Sequence, residues 1–109
     1  MVTQKTAIKT VQKFAKEIKS GGLNLRRVVL FGSYAHGKPH KWSDIDVALA
    51  ADEFDGDGFK DISYFVKINI KPEFRLIETC TYNTKDFSAR KNPFVSEILK
   101  TGIEISGWK

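Results

Sequence analysis

Apolar residues recur at helical spacing near the start of the chain. Ile8, Val11, Phe14 and Ile18 share one side, while Lys5, Lys9, Lys13, Lys16 and Lys19 decorate the remainder. That period predicts an amphipathic helix over about 3–20, stopped by Gly21-Gly22. The pattern then changes. Residues 25–31, Leu-Arg-Arg-Val-Val-Leu-Phe, are β-branched and apolar and end at a glycine, as a buried strand does. Residues 45–50 predict a second strand, and Gly32-Ser33 between them predicts a strand-to-helix turn. After an Asp/Gly loop from Asp52 to Gly58, Phe59, Ile62 and Phe65-Val66 keep helical spacing, although Val66, Ile68 and Ile70 also alternate like a strand. Residues 74–80, Phe-Arg-Leu-Ile-Glu-Thr-Cys, form the next apolar run of strand length. Asn92 predicts an N-cap with Pro93 at the first helical position and Phe94, Ile98 and Leu99 as a buried stripe. Gly102 ends that helix, and Ile103–Ile105 adds a short terminal strand. Helix–strand–helix–strand–helix–strand–helix predicts an α/β fold.

The chemistry concentrates between the first two strands. Phe31-Gly32-Ser33-Tyr34-Ala35-His36-Gly37 is a small-residue loop, and Asp44-Ile45-Asp46 follows it. Backbone N–H groups at such a turn form an anion site. The side-chain period of a strand is two, so Asp44 and Asp46 project from one face. Two carboxylates on one face repel each other unless a cation or a proton intervenes. A divalent metal satisfies them, and hard oxygen ligands suit Mg²⁺. A phosphate loop beside metal-binding carboxylates points to nucleotide chemistry.

At these residues the chain resembles the nucleotidyltransferase superfamily related to DNA polymerase beta, and most closely its minimal, stand-alone members. That family's pattern is Gly-Ser, ten residues, then Asp-x-Asp; here Gly32-Ser33 precedes the ten residues Tyr34 to Ser43 and then Asp44-Ile45-Asp46. The resemblance implies a mixed β-sheet with helices packed on it, one compact domain over 1–109. It also implies a third carboxylate on a neighbouring strand. Arg75 and Glu78 match an Arg-x-x-Glu step of one minimal subgroup, and Lys100-Thr101-Gly102-Ile103-Glu104-Ile105 matches its ending. Glu78 is therefore preferred to Glu73, which follows Pro72 at the strand entrance as a solvated charge. On this resemblance Asp44, Asp46 and Glu78 are the catalytic residues and hold two Mg²⁺ ions. Gly32 and Ser33 bind the phosphates of ATP, whose AMP passes to an acceptor hydroxyl. His36 stands where many relatives carry arginine, and is open to either a phosphate contact or a surface role. Trp42 is equally open, to stacking on a base or to covering the loop, and His40 reads as a solvated loop residue. Ser43 is expected to support Asp44 as a turn or cap residue.

Composition narrows the setting more than the chemistry. No apolar stretch approaches the roughly 20 residues a spanning helix needs, and no signal-peptide pattern opens the chain. Cys80 is the single cysteine, so an internal disulfide is excluded and a reducing cytoplasm is expected. Cys80 shares strand parity with Glu78, which leaves both a place near the site and burial as a small hydrophobe open. The net charge of +5 attracts acidic partners, yet the lysines are spread out. No basic block is interleaved with aromatics as a strand-binding platform would be, so nucleic acid is weakly signalled. Positive surroundings for a nucleotide are expected from Lys38, Lys41, Arg26 and Arg27. Larger nucleotidyltransferases carry a second, acceptor-binding domain. None is expected in this chain, so the acceptor site is expected to come from a partner, a second copy or the acceptor itself. The resemblance implies one partner in particular, a HEPN-domain ribonuclease toxin that such antitoxins silence by transferring AMP to a tyrosine. A transferase acting on a small molecule or RNA, and a non-catalytic toxin-binding module, are the competing expectations.

Overall fold

Residues 2–39 and 43–109 are described in a computed structural model of the chain. The first helix, α1 (Gln4–Ser20), begins where Thr3 caps it, its side chain accepting from the Thr6 N–H at 3.1 Å. Ala7, Val11, Phe14, Ala15 and Ile18 form its buried stripe. Gly21 caps its end, and the chain passes into β1 (Leu25–Phe31). β2 (Ile45–Ala51) runs antiparallel to β1, and β3 (Ile77–Asn83) runs parallel to β2. A two-residue strand, β4 (Ile103–Glu104), pairs antiparallel with the other side of β1. The sheet is therefore mixed, in the order β3-β2-β1-β4.

Both faces of this sheet are covered where its two inner strands are continuously apolar, at 28–31 and 47–51. Val28, Leu30, Val47 and Leu49 belong to the core that α1 closes. Val29, Ala48 and Ala50 belong to the second, smaller core, with Phe87 and with Val95 and Ile98 of α4 (Pro93–Thr101). α4 opens as expected: Asn92 accepts the Phe94 N–H at 2.8 Å and Pro93 occupies the first turn. Its buried residues, however, are Val95 and Ile98, while Phe94 stands half exposed. Gly102 follows where the chain leaves α4 for β4. A Cβ there would come within 2.8 Å of the Leu30 carbonyl oxygen, so only glycine lets α4 close onto β1.

Three expectations need correction. No helix joins β1 to β2 among the described residues; 32–37 form consecutive turns, closed by Ala35 and His36 N–H groups donating to the Gly32 carbonyl and by Lys38 N–H donating to Ser33. The cause is Tyr34, which inserts into the core at 2 % exposure, and Gly37, whose φ of 70° stops helical continuation. The connection from β2 to β3 is not one helix but short pieces: α2 (Gly58–Asp61), a 3-10 turn at Ile62–Tyr64, α3 (Val66–Asn69) and a 3-10 turn at Pro72–Phe74. Phe65 is buried against Phe14, but Phe59 lies almost fully in solvent. The third strand begins at Ile77 rather than 74, because Phe74 packs on Phe14 from the 3-10 turn, ring centroids 5.3 Å apart. No described helix is long and apolar enough to cross a membrane.

Candidate active site

Strand geometry assembles the acidic residues. Asp46 lies second in β2, with Phe31 beside it on antiparallel β1 and Glu78 beside it on parallel β3. Register partners in a sheet present their side chains on the same face, and this face is the one α4 covers further along. Asp44 sits just before β2 with the same parity and is exposed, as is Glu78; Asp46 is half-buried. Hydrogen bonding from the Ile45 N–H to the Leu76 carbonyl, at 2.8 Å, brings the starts of β2 and β3 together. Burial raises the Asp46 carboxyl above the usual carboxylate range, and the negative charges of Asp44 and Glu78 raise it further. Asp46 thus feels both of its acidic neighbours.

No ion pair among the described residues reaches these carboxylates. Their oxygens are the hard donors that Mg²⁺ prefers, and a divalent cation would relieve the repulsion that Asp46 bears. In donor chemistry the set fits a divalent metal. Among the described residues, no three acidic, histidine or cysteine side chains already stand close enough to enclose an ion.

The turn after β1 closes on the same place. Gly32 has φ 76°, and a Cβ on it would lie 3.2 Å from Asp46 Cγ and nearer still to Oδ2. The glycine therefore rests directly against the carboxylate. Turn hydrogen bonds are donated by residues 35–38, whereas the N–H groups of Ser33 and Tyr34 donate to no described acceptor. From α1, the Gln4 side-chain amide donates to the carbonyls of Tyr34 at 2.8 Å and Ala35 at 3.3 Å, fixing the turn to the core. Gly32 and Ser33 are thus held beside Asp46, with Ser33 half-buried and His36 exposed. Ser43 is buried. The expectations for His40, Lys41 and Trp42 fall outside the described residues.

Other candidates resolve elsewhere. Glu73 pairs with Lys13 at 2.6 Å on the surface, on the α1 side of the molecule. Arg26 pairs with Asp52 and Arg27 with Glu104, so neither lends a free positive charge to the carboxylates. Cys80 does stand near Asp46 and Glu78. Burial and those two negative charges push its thiol up, which keeps it protonated and unreactive. One important carboxylate left no mark in the periodicity. Asp61, 2 % exposed, accepts from Thr81 Oγ1 at 2.7 Å and from the Asp55 and Gly56 N–H groups. It ties the loop after β2 to β3.

A sheet in this order, with an acidic strand start beside a glycine turn, defines the class of fold. The structure is similar to that of a "putative nucleotidyltransferase" from Sulfolobus solfataricus, at a TM-score of 0.64 and 21% identity over 93% of this chain and 80% of that one. No curated protein matches the chain. Residues 9–107 match the family described as Polymerase beta, Nucleotidyltransferase, and the chain belongs to that family.

Proposed function

We propose that the protein transfers AMP from ATP, with Mg²⁺, to an acceptor hydroxyl. The single observation that carries the reading is the register of the sheet, which sets Asp46 against Glu78 on one side and Gly32 on the other. Asp44, Asp46 and Glu78 would hold the metal. Bound Mg²⁺ supplies charge neutralisation on the triphosphate and acidifies the acceptor hydroxyl. The Ser33 N–H and hydroxyl, with the Gly32 backbone, donate to the terminal phosphates and hold the α-phosphorus in line with the acceptor. Glu78, exposed at the start of β3, takes the proton from the acceptor hydroxyl. A bond forms from the acceptor oxygen to the α-phosphorus, and the bond from that phosphorus to the bridging oxygen breaks. Pyrophosphate leaves, and the proton passes from Glu78 to solvent. The work done by the chain is positioning and charge placement.

For the acceptor we infer a tyrosine of a HEPN-domain toxin, making the protein the antitoxin of a toxin–antitoxin pair. The support is the resemblance to minimal nucleotidyltransferases at Gly32-Ser33, Asp44-Ile45-Asp46, Arg75, Glu78 and the ending 100–105. The test is incubation with α-labelled ATP, Mg²⁺ and the product of the neighbouring gene. Label on that protein, lost in the Asp44→Asn/Asp46→Asn double variant, is the expected result. Label retained by the double variant would refute the assignment of the carboxylates. ATP binding without label on the protein would move the acceptor to an RNA or a small molecule.

A further inference from the structure

The turn that follows β1 is closed loosely by its own backbone. Ala35 and His36 donate to Gly32, Gly37 to Tyr34 and Lys38 to Ser33, all at 3.1–3.2 Å, the long end of the amide range. The shortest hydrogen bond on the turn comes from outside it. Gln4 Nε2 donates to the Tyr34 carbonyl at 2.8 Å and to the Ala35 carbonyl at 3.3 Å, across 30 and 31 residues of chain. Among the described residues no other side chain donates to this turn.

Gln4 is free for that contact because α1 is capped without it, the Thr3 hydroxyl taking the Thr6 N–H. As the first residue of a 17-residue helix, it ties the turn to a rigid element rather than to another loop. A primary amide also suits the task, since it carries two N–H donors and the two carbonyls it meets are consecutive. Holding them fixes the peptide planes on either side of Ala35. Immediately before these planes come the N–H groups of Ser33 and Tyr34, which donate to no described acceptor. Two successive free N–H groups make an anion cradle. Gly32, one residue earlier, rests against the Asp46 carboxylate.

We propose that Gln4 is a positioning residue for the triphosphate. By clamping the Tyr34 and Ala35 carbonyls to α1 it keeps the Ser33 and Tyr34 N–H groups turned to the phosphates, at a fixed span from Asp46. The inference rests on the transfer reading above, and it adds a residue that lies outside both the Gly-Ser and the Asp-x-Asp segments.

The test replaces Gln4 by methionine, which removes both donors, adds no charge, and keeps the length and helix propensity of the side chain. Gln12→Met is the control: Gln12 Nε2 makes the same kind of bond from the same helix, donating at 2.9 Å to the Ser106 carbonyl in the segment after β4. Inorganic triphosphate with Mg²⁺ is titrated into each chain and followed by backbone amide NMR. Saturable shifts of the Ser33 and Tyr34 amides are expected in wild type and in Gln12→Met, with affinity about tenfold weaker in Gln4→Met. Without ligand, the Ser33 amide of Gln4→Met is expected to leave its wild-type position, although Gln4 bonds only to carbonyls further along the turn. Wild-type affinity in Gln4→Met, an equal loss in Gln12→Met, or an unmoved Ser33 amide would each overturn the proposal alone. Triphosphate that moves neither amide in wild type would overturn it together with the transfer reading.

Discussion

Replacing Gly32 by alanine separates two effects that meet at one atom. The first is conformational: φ of 76° is a left-handed backbone, which costs an L residue about 1–2 kcal/mol. The second is steric, since the new methyl would overlap Asp46 Oδ2. Were Asp46 rigid, that overlap would add about 1–3 kcal/mol of overpacking. Asp46 is only half-buried and in no ion pair among the described residues, so its carboxylate swings aside instead. The expected loss of stability is therefore about 1–2 kcal/mol, with the rest of the damage appearing in activity. A displacement near 1 Å at a reacting centre lowers rate by about 100-fold. Gly22 supplies the control, because it too has positive φ, 98°, but a Cβ added to it would meet nothing within 4 Å. Urea unfolding of Gly32→Ala and Gly22→Ala should give similar losses, while labelled-AMP transfer falls in Gly32→Ala alone. Equal transfer by the two variants would refute the reasoning that Gly32 positions the Asp46 carboxylate.

The folded state raises the Asp46 carboxyl, so folding binds that proton more tightly than the unfolded chain does. Stability is thus fullest below the unfolded value and falls as pH rises through the folded one. In metal-free buffer Asp46→Asn should melt higher than wild type at neutral pH and level with it in acid; an equal gap at every pH would contradict this. Glu78→Gln should lose about 100-fold or more in transfer. Glu73→Gln should keep full transfer and change stability by less than about 1 kcal/mol, since it breaks only an exposed pair; the reverse outcome would give Glu73 the site role. Asp61→Ala strands the Thr81 hydroxyl and two backbone N–H groups and should cost about 3 kcal/mol in urea unfolding. A loss of only a few tenths would mean the loop is not anchored there.

What could be read in the sequence was whatever local forces decide. α1 announces itself through its period and α4 through the Asn92 cap followed by Pro93, and β1 and β2 through the apolar stretches at 28–31 and 47–51. The Gly32-Ser33 and Asp44-Ile45-Asp46 spacing pointed to the family that residues 9–107 match. What was hidden depends on partners distant in the chain. Phe74 is as apolar as any strand residue, and only Phe14 of α1 decides that it packs from a 3-10 turn. Tyr34 likewise breaks the helix expected after Gly32 by finding the core. Asp61 carries no periodic signal because its three donors come from Thr81 and a turn. The exposure of Phe94 follows from how α4 rolls onto Ala48 and Ala50 rather than from its own stripe.

The ladder between β2 and β3 divides the chain into parts that tolerate change differently. Asp46 and Glu78 are neighbours across hydrogen-bonded backbone, not through the 31 residues that separate them along the chain. Loop closure grows only slowly with length, so the stretch beyond Asp61 can gain or lose residues while the pair stays together. One residue inserted inside either strand would instead turn the following carboxylate to the opposite face. Divergence among relatives is therefore expected to gather in that connection, and length within β2 and the first half of β3 to stay constant.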